Sequence, residues 1–437
     1  MNSYLFGLII ILISCTQKGR EVISVAPEWA KTSRIYEMIP SEFSSNGKLE
    51  GIISRLSHLN KLFINTVVFL PVQTLDRVDN NYNPQSYFAL KDFQTIDTSL
   101  GDALQFQKLI DSLHSKKTSV LLSIHIGETG PNHPWRKSSP QFYVSQETMK
   151  ESNYNPDYIK LNLNDKKLQK ELFNILKFWV KNFKLNGFVI YGTKSAPADF
   201  ILDLLNEFSL KNNHMIILDH IIEKEPNGYY GYLDHELYHF FEQMEKDSVD
   251  VSSIKDHLKK INGKLPKAIP VFYSQNALNH DLHGPEVTYF SQTYKTNAYI
   301  TELFPGIPFI CNGQEEPLYQ KINRFDQIGL DFKYNFMLDV FRSAHIQRMA
   351  NPALQSADLT NFPEIISDSQ DVLAFERKHG NAIIVSFINL KNSSQKFTIK
   401  KDYYYYSDLK TKVKVHFIKD QPYTLGPYQV ITITNII

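Results

Sequence analysis

The 437-residue sequence has almost no net charge and only two cysteines, and its first apolar run is too short to cross a membrane. A formal charge of +1 gives no electrostatic pull toward a polyanion, so nucleic acid is not an expected partner. The apolar run, Leu5 to Ile13, falls short of the length a mature spanning helix needs. Met1-Asn2-Ser3-Tyr4 ahead of it also lacks the Lys or Arg that usually opens an export signal. The two cysteines, Cys15 and Cys311, lie almost 300 positions apart, one of them at the end of that leader.

The leader nevertheless closes on Leu12-Ile13-Ser14-Cys15, which resembles a bacterial lipobox. Cleavage before Cys15 leaves a lipidated cysteine, with 1–15 as the signal and 16–27 as a polar tether. The sequence therefore predicts export and a lipid anchor in the bacterial cell envelope: outer membrane, periplasmic or surface face. With Cys15 lipidated, Cys311 has no partner, and no intrachain disulfide is expected.

What is present is a large core. Hydrophobic residues make up 42% of the chain, with 24 Tyr and 29 Phe, which suits core packing and also aromatic-lined sugar clefts. Ser33 to Pro40, Phe63 to Pro71, Ser119 to Glu128, Leu185 to Gly192, Met215 to His220, Ile269 to Tyr273 and Pro305 to Asn312 read as buried strands. Helical spacing separates them over Leu49 to Leu62, Leu104 to His114 and Leu168 to Phe183, and a last helix runs from Tyr334 to Met349. That alternation predicts a parallel α/β barrel or doubly wound sheet. From about Val372 the pattern becomes short alternating strands parted by Gly, Asn or Pro, as in a small antiparallel sandwich. Tyr403-Tyr404-Tyr405-Tyr406 lies among them: either a sugar-binding surface or, since alternation buries every second ring, packing.

The strand phrases are specific. Phe178-Trp179-Val180 to Gly187-Phe188-Val189-Ile190-Tyr191, His133-Pro134-Trp135, and Pro305-Gly306-Ile307-Pro308-Phe309 to Gly313-Gln314-Glu315 resemble the α-amylase family of glycoside hydrolases, family 13. The resemblance runs from Trp29 to Tyr428. It implies a (β/α)8 TIM barrel over 28–365, with a short domain B-like loop at about 129–158. A C-terminal antiparallel β-sandwich would follow over 366–437.

It also implies roles. Tyr82 matches the ring that stacks under the sugar at the cleavage point. Tyr191 stands where the family has its Asp nucleophile, and Val189, two residues earlier, where it has an Arg. Ser123, Gly127 and Glu128 replace an Asp, an Asn and a His. The lost Asp and Arg form a buried ion pair in the family, and losing both avoids a stranded charge worth about 3–5 kcal/mol. The Asn helps bind a structural calcium, so Gly127 argues against one, and no metal or cofactor is expected.

Asp219 stands for the general-acid Glu, one methylene shorter, a misplacement that costs on the order of 10²-fold in rate. His220 or Glu223 is an unaligned substitute. Asn279-His280-Asp281 keeps the motif whose Asp stabilises the transition state, if a few extra residues are accepted after the strand; a gapless match puts Gln275-Asn276-Ala277 there. Glu315 is structural in the family. Asp234, His235, Glu236 and His239 tempt a metal reading, but a charged helix start accounts for them.

Retaining glycosidases need two carboxyl groups about 5–5.5 Å apart. With Tyr191 and a short Asp219 in those places, the expectation is a lipid-anchored, α-glucan-binding pseudoenzyme. Asp219 and Asp281 are its remaining catalytic candidates, and Tyr82, Tyr191 and His280 its contacts to an α-linked gluco-oligosaccharide. Two alternatives stand beside it. One is an active hydrolase or transglycosylase with displaced groups (Asp219, Asp281, Glu128), with Tyr191 as nucleophile if a base ionises a phenol of ordinary pKa about 10. The other is a structural partner in a glucan-uptake assembly.

Overall fold

The computed structural model describes residues 26, 28–76, 87–145, 158–265, 267–276, 282–316, 330, 332, 337–355 and 362–436. Eight parallel strands close a barrel: β1 (Ile35–Met38), β2 (Thr66–Phe69), β3 (Ser119–His125), β4 (Gly187–Tyr191), β5 (Met215–Leu218), β6 (Tyr230–Leu233), β7 (Ala268–Phe272) and β8 (Ile307–Cys311). Each pairs with its neighbours in sequence, and β8 returns to β1.

Alternation along each strand builds two apolar layers. Ile35, Val68, Leu121, Val189, Ile217, Val271 and Phe309 fill the inside. Tyr36, Val67, Leu122, Phe188, Ile216 and Ile310 pack outward under the helices. Gly187 is required where β4 meets β5, because a Cβ there would run into the Met215 carbonyl.

The helices carry local reasons to start. In α1 (Leu49–Lys61) and α2 (Ala103–Ser115) one face is apolar; α2 opens on a capping box between Asp102 and Gln105. In α3 (Lys166–Phe183) Asp165 caps the start by accepting from the Lys167 and Leu168 amides. Its face of Leu168, Leu172, Ile175, Leu176, Trp179 and Phe183 is buried, and the Trp179 indole donates to the Phe93 carbonyl at 2.8 Å. α4 (Ala198–Leu205) precedes β5. α5 (His235–Glu245) and α6 (Val251–Lys264) link β6 to β7, and α7 (Tyr294–Leu303) and α8 (Leu338–Ala350) flank β8.

One crossover departs from the (β/α)8 expectation: residues 219–229, between β5 and β6, form no helix. Two turn signals, Glu225-Pro226 and Asn227-Gly228, sit in that short stretch and leave no room for one.

The C-terminal module holds β9 (Glu364–Ile365), β10 (Val372–His379), β11 (Ala382–Asn389), β12 (Gln395–Phe397), β13 (Tyr403–Asp408), β14 (Lys414–Phe417), β15 (Tyr423–Leu425) and β16 (Val430–Thr434). Six of them form one sheet in the order β9-β10-β11-β16-β13-β14, while β12 pairs with β15. Phe387, Phe397, Tyr403 and Phe417 lie in the core between these layers. The module is bound to the barrel by a fully buried Arg377, whose guanidinium donates to the Leu303 and Phe304 carbonyls at 2.8 and 3.1 Å. Tyr428 adds a bond to the Met244 carbonyl at 3.0 Å.

Candidate functional site

In a parallel barrel the chemistry gathers at the C-terminal ends of the strands. Among the described residues at that end, Tyr191, Phe88 and His125 pack on one another. Tyr191, the last residue of β4, is 3% exposed. Its ring lies under Phe88 with centroids 4.9 Å apart, and its hydroxyl points to the Glu37 carboxylate at 3.5 Å. Phe88 also covers His125, 5.5 Å away. Burial first, then the Glu37 charge, pushes the Tyr191 phenol well above its ordinary pKa. The buried Cys311 thiol, bonded to the same Glu37, is pushed up for the same two reasons. Tyr191, expected to touch sugar, lies nearly buried in an aromatic layer with Phe88 and His125.

Below it, Ser123 of β3 stands in register with Val189 of β4. Both are fully buried, and the Ser123 hydroxyl has no hydrogen-bond partner among the described residues.

Asp219 follows β5. Its Oδ2 accepts the Gly192 amide at 2.8 Å, and its Oδ1 accepts both the Thr193 amide at 3.2 Å and the Thr193 hydroxyl. Gly192 takes a positive φ of 80°, and a Cβ on it would press the His125 ring. The carboxylate therefore fastens the turn that leaves β4. His220 Nδ1 lies 3.4 Å from Oδ2 on the solvent side. The Asp219 carbonyl accepts from His235 Nε2 at 2.6 Å, which makes His235 Nδ1 the acceptor for the Tyr273 hydroxyl, also at 2.6 Å.

The remaining predicted positions divide. Tyr82, His280, Asp281 and the lipidation residue Cys15 lie outside the described residues. Glu128 is buried on a two-residue strand, paired antiparallel with Lys160 across the base of the domain B-like loop. Glu315 accepts from Tyr36 at 2.6 Å and bonds His58 at 2.8 Å with no exposure, a framework position. Asp234 caps α5 through the Leu237 amide and pairs with His257 at 2.8 Å, while His239 turns to Glu242. Among the described residues no group of His, Cys, Asp and Glu is arranged to hold a metal ion.

One carboxyl escaped the sequence reading. Glu286, just beyond β7, is buried, and its amide donates to the Gln275 side chain at 2.6 Å. Gln314 donates to its Oε2 at 2.5 Å, and Oε1 has no hydrogen-bond partner among the described residues. Burial raises its pKa to about 7, opposed by its bonds to Ser274 and Gln314. Nothing local marks this residue in the sequence; only the meeting of the β7 and β8 loops encloses it.

Residues 28–160 match the family profile described as alpha amylase, catalytic domain. The alpha-amylase MalA of Haloarcula japonica is 23% identical over 395 residues, covering 83% of this chain and 56% of that protein. The chain thus spans little more than half the length of that relative. The intracellular maltogenic amylase of Bacillus subtilis is 22% identical over 435 residues, covering 86% of this chain and 71% of its own. Among solved structures, a noncanonic maltogenic alpha-amylase, AmyB, from Thermotoga neapolitana superposes with a TM-score of 0.79 at 18% identity. That match covers 93% of this chain and 99% of AmyB.

Proposed function

Taking this chain as a member of the alpha-amylase family, glycoside hydrolase family 13, we propose that it binds α-glucan without hydrolysing it, tethered to the cell envelope through a lipid on Cys15. The observation that carries this reading is the state of Asp219. Hydrolysis needs one carboxylate to attack the anomeric carbon and one carboxylic acid to protonate the leaving oxygen. At the nucleophile's place stands a Tyr buried under Phe88, whose phenol stays protonated at neutral pH. At the acid's place both Asp219 oxygens accept hydrogen bonds from residues 192 and 193. A general acid must bring its proton within hydrogen-bond reach of the substrate, and this carboxylate is turned to the protein instead.

Sugar binding draws support from the family and from the α-glucan chemistry named for the relatives. The lipid anchor rests on the Leu12-Ile13-Ser14-Cys15 sequence alone.

Glu286 favours the second reading, an α-glucan hydrolase or transglycosylase with displaced groups. It is a buried carboxyl poised near neutrality at the catalytic end of the barrel.

The deciding experiment incubates protein lacking residues 1–15 with mixed α-linked gluco-oligosaccharides and reads products by mass spectrometry. Asp219→Ala and Glu286→Gln run in parallel, followed by titration calorimetry with the same sugars. Binding without turnover is the expected result. Turnover abolished by either substitution would establish the displaced enzyme.

A further inference from the structure

The C-terminal sheet carries a surface the fold does not use. Of the ten large hydrophobic side chains exposed among the described residues, four lie between positions 404 and 418: Tyr404, Tyr405, Val413 and Ile418. Tyr404 and Tyr405, 52% and 73% exposed, are the only aromatic ones.

Two adjacent residues of a strand normally point to opposite faces. Here they share one because β13 bulges: Tyr403 pairs with Phe417 and Tyr406 with Val415, so one residue is extra. Tyr405 takes up the irregularity at a φ of +63°, a conformation unfavourable to a bulky side chain. Both rings consequently approach His416 of β14, Tyr405 edge-on at 5.0 Å and Tyr404 at 6.3 Å.

Polar groups around the bulge bond the strands that carry them. The Tyr405 amide donates to His416 Nδ1 at 3.1 Å, which leaves the imidazole proton on Nε2. Lys414 Nζ donates back to the Tyr405 carbonyl at 3.1 Å. The surface therefore offers two aromatic rings, two phenols and an imidazole N–H, beside a Lys414 ammonium that keeps its charge while it holds the backbone. Two exposed phenol rings side by side suit a neutral polyol with flat C–H faces.

We infer that Tyr404, Tyr405 and His416 form a second carbohydrate platform, which takes an exposed α-glucan chain on the sandwich, apart from the barrel mouth. The ligand class rests on the proposed function; the site does not. Glucan lies with pyranose faces against the rings and hydroxyls toward the phenols and the His416 Nε2–H.

The test uses the full chain in detergent and granular starch as probe, at low and high salt, with maltoheptaose titration of the variant lacking both rings as a separate measurement of the barrel. Tyr405→Gly removes the ring at a position whose positive φ favours glycine, so the fold is kept, and Tyr404→Thr retains strand preference. Starch adsorption is expected to fall roughly tenfold in the double variant, which still binds maltoheptaose at the barrel, and native adsorption is expected to be insensitive to salt. Native adsorption that is absent, unchanged by the substitutions or lost at high salt overturns the platform, whatever the titration shows. Ring-dependent adsorption with no maltoheptaose binding left in the double variant would keep the platform and overturn glucan binding at the barrel.

Discussion

Ser123 and Val189 face each other in register across β3 and β4, both without solvent exposure. At these two positions the family resemblance implies an Asp and an Arg that pair. The chain carries a small hydroxyl and an aliphatic group there instead, so neither of these two positions buries a charge.

A single reversion should therefore be harmful. Ser123→Asp is expected to cost about 3–5 kcal/mol, because it buries a carboxylate with no cation beside it. Ser123→Asp with Val189→Arg should recover part of that loss. Urea unfolding of the three proteins measures it, and additive costs in the double variant would show that the two positions do not communicate.

Asp219 is predicted to matter for stability rather than turnover. Asp219→Ala strands the Gly192 and Thr193 amides and should cost on the order of 2–3 kcal/mol. Faster hydrogen exchange at those two amides, together with a lowered unfolding midpoint, is the expected result. A variant as stable as the native chain would remove the fastening role.

Glu286 gives a pH dependence with a definite sign. Its folded pKa of about 7 lies above its ordinary 4.5, so the folded state holds the proton more tightly. The stabilisation is complete below pH 4.5 and is lost as pH rises through 7, about 3 kcal/mol in all. Glu286→Gln imitates the protonated acid and should flatten this part of the stability profile. Parallel profiles for the two proteins would mean that the carboxyl titrates at its ordinary value.

Lipidation is tested directly. Cells given an alkyne-bearing fatty acid should label the native chain in the membrane fraction, and Cys15→Ala should leave it unlabelled. Equal labelling of both would reject the anchor.

The barrel was legible because helical and strand periodicities alternate over long, well-patterned segments such as Leu168 to Tyr191, where burial enforces register. The sandwich was legible in its apolar strands but not in β9, β13 or β15. Tyr403 to Tyr406 reads as simple alternation, and a single αL residue breaks it. The missing helix between β5 and β6 was hidden because a resemblance transfers a whole repeat, whereas residues 219–229 are too few for a helix and its two turns. At the site, substitutions at 123, 189, 191 and 219 were visible as letters. What Asp219 binds instead was not, since its partners come from the neighbouring strand's exit. Glu286 was invisible for the same reason: burial by two loops leaves no periodic trace.

Arg377 has a consequence for how the molecule comes apart. Its guanidinium is sealed between modules and donates to the carbonyls that end α7. Prising the sandwich away exposes those carbonyls together with the apolar pair Phe304 and Phe375, whose rings meet at 5.8 Å. Neither half then keeps a finished surface. The chain should melt in one cooperative transition, and a truncation near residue 365 should yield an aggregating barrel rather than a smaller working one.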